Sequence, residues 1–212
     1  MKKGLFITFE GTDGSGKTTQ IKLLKSFLEE KGYSPVITRE PGGTKIGELI
    51  RDIILNKENS EMSNLTEMLL YAASRAQHVD EYIRPNLLEG KIVISDRFVD
   101  SSIVYQGGAR KLGDSVVAVN DIAIGDCIPD ATFLLLADAD VGFSRVSNRT
   151  LDRIESEGLD YQRLVADAYV QLADKSPQRI QKIDANDTVE NIQKTIENIV
   201  IDLIKQFESD IE

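Results

Sequence analysis

The chain has 212 residues, enough for one domain with a substantial core, and its 41% apolar and 28% charged residues are ordinary for a soluble globular protein. A net charge of -10 argues against a nucleic-acid polymer as partner, since proteins that grip a phosphate backbone are usually basic; a small anion met by a few local arginines is still allowed. No apolar run approaches the ~20 residues of a membrane span, which argues against a membrane partner. The apolar run after the N-terminal Met-Lys-Lys is too short for a signal peptide, and a lone cysteine, Cys127, fits a reducing compartment, so a cytoplasmic location is expected. Cys127 reads as a small buried apolar residue, and the one histidine, His78, cannot by itself head a His-based metal site or a Ser-His-Asp triad.

In chain order, Leu5–Phe9 is a first apolar strand. Residues 18–31 place Ile21, Leu24, Phe27 and Leu28 at helical spacing and stop at Gly32. Val36–Thr38 is a second strand, and Ile46–Leu55 is an amphipathic helix through Ile46, Leu49, Ile50 and Ile53. Asn64 with Glu67 three later resembles a capping box opening a helix to about His78, after which Pro85 and Gly90 punctuate the next helical stretch. Ile92–Ser95, Thr132–Leu136 and Ile180–Ile183 are further strands, and Asp187 with Glu190 caps a C-terminal helix through about Phe207. Strands alternating with helices predict an α/β fold: a mostly parallel sheet of about five strands with helices on both faces, in a single domain.

Gly11-Thr12-Asp13-Gly14-Ser15-Gly16-Lys17-Thr18 fits the P-loop pattern between a strand and a helix. Glycines let successive backbone N–H groups converge on phosphate oxygens, and the helix N-terminus faces the same charge. Lys17 would reach the β- and γ-phosphates of a nucleoside triphosphate and the Thr18 hydroxyl would ligate Mg²⁺, with Thr19 completing the nucleotide-binding stretch. Asp96 closes a buried strand at its carboxyl end, where α/β sheets bind ligands, and suits a second metal-organising or proton-accepting role; the alternative is a helix-capping aspartate. Arg97 beside it suits a second phosphate. Tyr71 and Arg75 stand four apart on one helical face, an aromatic and a guanidinium that could read a base or be core tyrosine and surface arginine. Arg145, Arg149 and Arg153 recur every four residues, which on a helix is a basic stripe, either a solvated face or a mobile lid around 143–158 that delivers guanidinium groups to a transferring phosphoryl group.

The blocks Asp96-Arg97-Phe98 with Ser101 and Tyr105-Gln106-Gly107, Arg39-Glu40-Pro41-Gly42-Gly43, Leu70-Tyr71-Ala72-Ala73-Ser74-Arg75 and Leu151-Asp152-Arg153-Ile154-Glu155 resemble the signature of the thymidylate kinase family, nearly end to end. The resemblance implies transfer of the γ-phosphate of ATP to dTMP with Mg²⁺, commonly by a homodimer. It implies that Arg97 and Arg39 hold the acceptor phosphate, with Arg51 nearby, and that Glu40 lies near the transfer site. Arg75 and Gln106 would hydrogen-bond thymine, Tyr71 would stack on it, Tyr105 would crowd the 2′ position, and Ser101 or Ser102 would complete the base pocket. Val104 stands where the family usually has alanine. The family's catalytic arginine sits in the P-loop or in the lid; Thr12, Asp13, Gly14 and Ser15 contain none, which points to Arg153 first and Arg149 second. Rival readings are another P-loop nucleoside or nucleotide kinase, for which Arg39 and Arg97 would lack a phosphate to grip if the acceptor were a nucleoside, and a P-loop switch, for which no Asn-Lys-x-Asp guanine-reading element is present.

Overall fold

The computed structural model describes residues 4–146 and 151–209. Five parallel strands, β1 Phe6–Glu10, β2 Pro35–Arg39, β3 Ile92–Asp96, β4 Ala131–Leu136 and β5 Ile180–Asp184, lie in the order β2-β3-β1-β4-β5. The predicted strands are all present, each shifted or lengthened by a residue or so. Alternation along β1 sets the two layers. Leu5, Ile7 and Phe9 pack with Phe133 and Leu135 against α1 (Lys17–Glu30) and the C-terminal α9 (Val189–Ser209). Phe6 and Val93 face the opposite layer, built from the turn at Val79–Ile83 that follows α3 (Asn64–His78), from α4 (Arg84–Leu88) and from the short α5 (Val99–Ser102). Leu134 and Ile180 face α8 (Leu159–Lys175) through Val165, Tyr169 and Ala173, with Val104 fully buried in the same cluster. Cys127 is buried among apolar neighbours.

Between the two opposite-face clusters runs a polar seam. Thr8 and Thr132 bond each other, and Asp100 takes Thr132 Oγ1 and a two-pronged contact from Arg179. Glu10 ends the seam, fully buried.

Several local expectations change. The cap of α3 is Ser63, whose Oγ accepts from Thr66 N at 3.2 Å; Asn64 is already helical, so Glu67 lies one residue too far on to close a capping box and is free to point inward. Thr188, not Asp187, caps α9, its Oγ1 accepting from Asn191 N. The helix does not break before Pro85: a π-helical turn at Val79–Ile83 joins α3 to α4 and accommodates a residue that lacks an N–H and crowds a regular turn. A second π-helical stretch, Ile103–Ala109, follows α5. Neither α6 (Ser115–Ile124) nor α8 is anticipated from the periodicity. The apolar stripe of α2 (Lys45–Leu55) faces outward rather than into the core: Ile46, Leu49 and Ile53 are 49%, 60% and 47% exposed. The basic stripe does not form, because α7 (Ala139–Val146) carries Arg145 alone and Arg153 sits in a turn; Arg149 lies outside the described residues. No helix among the described residues is long and apolar enough to cross a membrane.

Phe133, on a central strand, packs on Phe9 with ring centroids 5.3 Å apart and has no exposed surface. Phe133→Ala should lower the free energy of unfolding by about 3–5 kcal/mol, read as a lower urea midpoint with an unchanged slope.

Candidate active site

Two segments leave the carboxyl ends of neighbouring strands where the topology switches direction, the usual ligand position in such sheets. From β1 comes the P-loop. Gly11, Gly14 and Gly16 have φ of 136°, 77° and 95°, in the left-handed range that glycine tolerates. Lys17 Nζ reaches back across the loop to Gly11 O at 3.0 Å and Thr12 O at 2.9 Å. Burial, and after it the nearby Arg97 charge, pushes the Lys17 ammonium down to about 8. Thr18 Oγ1 donates to Asp96 Oδ2 at 3.2 Å, so the hydroxyl and carboxylate expected to share a cation already meet. The described residues hold no group of three His, Cys, Asp or Glu side chains that could cage a metal. A cation here would draw its remaining oxygens from water and phosphates, as Mg²⁺ does and as the oxygen-only pair Thr18 and Asp96 suits.

From β3 comes Arg97, held at φ 71°, a left-handed conformation uncommon for a side chain of this size. Its Nη2 donates to Asp13 Oδ1 of the P-loop at 2.8 Å; its Nη1 donates to Ser101 Oγ and Tyr169 OH, each at 3.1 Å. Beneath it Glu10 accepts from Phe98 N, Ser101 N, Ser101 Oγ and Tyr169 OH at 2.6–3.2 Å. Burial raises the Glu10 carboxyl above the usual carboxylate range, Asp100 adds to this, and Arg97 opposes it.

Lys17 and Arg97 therefore line one cleft, of about 690 Å³, a size suited to small-molecule ligands. The residues 13–19 of the P-loop line it, as do Arg39, Glu40, Arg51, Tyr71 and Arg75, and so do Asp96, Ser101, Ser102, Tyr105 and Gln106. Gly11 and Thr12 do not line it but contribute carbonyls to Lys17. Ser15 Oγ and Tyr105 OH are buried without a hydrogen-bond partner among the described residues, and both face this cleft, as polar atoms awaiting a ligand do.

The thymidylate kinase family model matches residues 9–196. The chain is 46% identical to the thymidylate kinase of Clostridium novyi (strain NT), over 94% of this chain and all of that one. It is 48% identical to the thymidylate kinase of Thermoanaerobacter sp. (strain X514), over 97% of this chain and 99% of that one. A crystal structure of thymidylate kinase from Ehrlichia chaffeensis superposes with a TM-score of 0.76 at 33% identity, covering 93% of this chain and 98% of that one. The chain belongs to the thymidylate kinase family.

Within that family's frame, the side chains opposite the P-loop are tightly tied. Arg75 is 1% exposed: Nε donates to Glu40 Oε2 at 2.7 Å, Nη1 to Ser102 Oγ at 2.9 Å and to Asn120 Oδ1, and Nη2 to Phe98 O at 3.1 Å, leaving one of its five N–H groups over. Glu40 also meets His78 Nδ1, whose Nε2 lies 2.6 Å from Thr38 Oγ1. Arg39, half exposed, pairs with Glu48, and Arg51 Nη1 donates to Pro41 O. Gln106 Nε2 donates to Glu67 Oε1. Val104 is buried in the apolar cluster under α8 and does not line the cleft.

The lid arginines divide. Arg145 lines the cleft and its Nη1 donates to Gly14 O at 2.9 Å. Arg153 does not line it: Nε donates to Ile54 O and Nη2 to Glu67 Oε2, both at 2.7 Å. Asp152 and Glu155 cap one another, Asp152 Oδ1 accepting from Ile154 N and Glu155 N while Glu155 Oε2 accepts from Asp152 N. Sequence reasoning missed Glu10, Tyr169 and Glu67. A lone carboxylate ending the apolar strand before Gly11 is a signal for Glu10, and the 67–71–75 spacing is one for Glu67. Tyr169 carries none, because only the packing of α8 brings it to Arg97.

The P-loop and the base of the lid touch backbone to backbone. A Cβ at Gly14 would lie 2.2 Å from Gly142 O, besides occupying a positive φ. Gly14→Ala should weaken ATP binding by at least about tenfold, roughly 1.4 kcal/mol, and leave dTMP binding unchanged, both measured by calorimetry.

Proposed function

We propose that this chain moves the γ-phosphoryl group of ATP to the 5′-phosphate of dTMP, giving dTDP and ADP for dTTP synthesis. One observation carries the reading: Lys17 of the donor loop and Arg97 of the acceptor block face one cleft, bridged by Asp13. An acceptor phosphate oxygen attacks the γ-phosphorus, and the bond to the β–γ bridging oxygen breaks. Protein groups need only position and neutralise. Lys17 and the P-loop N–H groups hold the donor. Arg97, with Arg39 and Arg51, holds the acceptor phosphate. Tyr71, Arg75, Ser101, Ser102, Tyr105 and Gln106 form the nucleoside side, and Glu40 steadies Arg75. Mg²⁺, held by Thr18 and Asp96, would neutralise charge on the phosphates. An acceptor phosphate favours this reading over a nucleoside kinase, because a nucleoside would give Arg39, Arg51 and Arg97, which line the same cleft, no phosphate to hold.

Of the lid arginines, this reading gives the charge at the transfer site to Arg153 first and Arg149 second; to supply it, Arg153 would have to leave Glu67 and the α2 backbone, to which its guanidinium now donates. Arg153→Ala should lower kcat by about 10³-fold and reduce the melting temperature. Arg149→Ala should lower kcat less; the reverse ranking would give the role to Arg149. In a coupled assay dTMP should exceed dUMP by a modest factor, about 10–200-fold, as one methyl allows, and both should far exceed dCMP. Equal use of dCMP would sink the assignment of Arg75 and Gln106.

We also infer a cytoplasmic homodimer of single-domain subunits, each with a lid at 143–158, paired through the outer face of α2 and α3. Ile46, Leu49 and Ile53 share that face with Leu65 and Leu69, which are 54% and 49% exposed, an apolar patch of the sort that marks protein contacts. Leu49→Glu should convert a dimer to monomers in analytical ultracentrifugation without loss of secondary structure.

A further inference from the structure

We infer that Glu67 is a positioning residue for base choice: by holding the amide nitrogen of Gln106, it turns the amide oxygen toward the cleft and makes the site require an N–H on the base. This deepens the function proposed above and rests on it.

Glu67 lies on α3 one turn before Tyr71 and two before Arg75, on the same helical face. It is 1% exposed. Its Oε1 takes Gln106 Nε2 at 2.9 Å and Arg110 Nε at 3.3 Å; its Oε2 takes Arg110 Nη2 at 3.3 Å and Arg153 Nη2 at 2.7 Å. Guanidinium groups donate and never accept, so a carboxylate between two of them acts as an acceptor throughout. The two ends of a carboxamide are nearly the same size, and packing alone is indifferent to which way it faces. The carboxylate decides. An amide oxygen turned toward Glu67 would set two acceptors against each other in a buried site, at a large desolvation penalty.

With the nitrogen held, Gln106 Oε1 takes no hydrogen bond from any described group, and the residue lines the cleft beside Ser102 and Tyr105. It is a fixed acceptor offered to whatever fills the base pocket. Thymine and uracil carry an N–H at N3. Cytosine carries a bare lone pair there, which the same oxygen repels. A rejection of this kind comes from leaving polar groups unpaired, and it exceeds what packing achieves.

The test compares kcat/KM for dTMP and dCMP, and the KM for ATP, in the wild type, Glu67→Gln and Arg110→Met. An amide at position 67 offers both a donor and an acceptor, so Gln106 can face either way. The dTMP:dCMP ratio should fall by about tenfold or more, through a gain for dCMP as well as a loss for dTMP, with the KM for ATP unchanged. Arg110→Met weakens the same ionic cluster but keeps the carboxylate facing Gln106, so the ratio should hold while stability drops. A wild-type ratio in Glu67→Gln overturns the inference, as does an equal loss of ratio in Arg110→Met, which would make the cluster purely structural. If Glu67→Gln does not fold, Glu67→Asp draws the carboxylate back by one methylene and should lower the ratio in the same direction; no change there overturns the inference too. A wild-type enzyme that ignores dTMP or accepts dCMP equally fails earlier, on the proposed function itself.

Discussion

The buried carboxylate of Glu10 is the constraint around which the site is organised. A charge in the centre of a parallel sheet is tolerated only if donors surround it. Glu10 finds them in the backbone and hydroxyls that follow β3 and in Tyr169 of α8. Satisfying one carboxylate therefore draws three elements to the end of β1, immediately beside the P-loop that β1 introduces. Arg97 lies above this cluster and reaches Asp13, so its guanidinium is anchored to the P-loop. The facing of the two half-sites is a consequence of paying the desolvation of a single buried acid.

Local charge, not total charge, governs what the cleft prefers. The chain carries a net -10, yet the residues bordering the cavity include as many cationic side chains, six, as carboxylates, so the excess negative charge lies elsewhere. Lys17 and Arg97 repel each other across it, which two phosphates would relieve. Opposite, the Arg75 and Glu67 clusters are nearly fully bonded, and each fixes the direction of one polar group rather than adding net charge. Such saturated buried networks favour one arrangement, because any turned side chain strands a donor or acceptor.

Much of this was legible along the chain. The five strands, α1, α2, α3 and α9 follow from short-range periodicity, and the P-loop from a pattern whose geometry is local. The site residues of the Arg39, Tyr71 and Asp96 blocks also come together in one cleft, since strand ends in this topology converge. Where the sequence misled, the competing contact was distant. Ile46, Leu49 and Ile53 have the spacing of a core stripe, but periodicity does not say whether an apolar face meets the core or solvent. Arg145 and Arg153 have the spacing of a helical stripe, but the helix ends at Val146 and Glu67 captures Arg153 from another element. Asn64 and Glu67 have the spacing of a capping box, but Ser63 caps first and burial claims the glutamate.

The amino-acid order alone determined the elements, the phosphate cradle and the chemical types available for a second phosphate and a base, because each depends on neighbours a few residues apart. Only the folded chain decided the strand order, the pairing of Glu10 with Tyr169 across 159 positions, the capture of Arg153 and the direction of the Gln106 amide. Those depend on which buried polar groups find partners, and that is settled by packing between elements far apart in the chain.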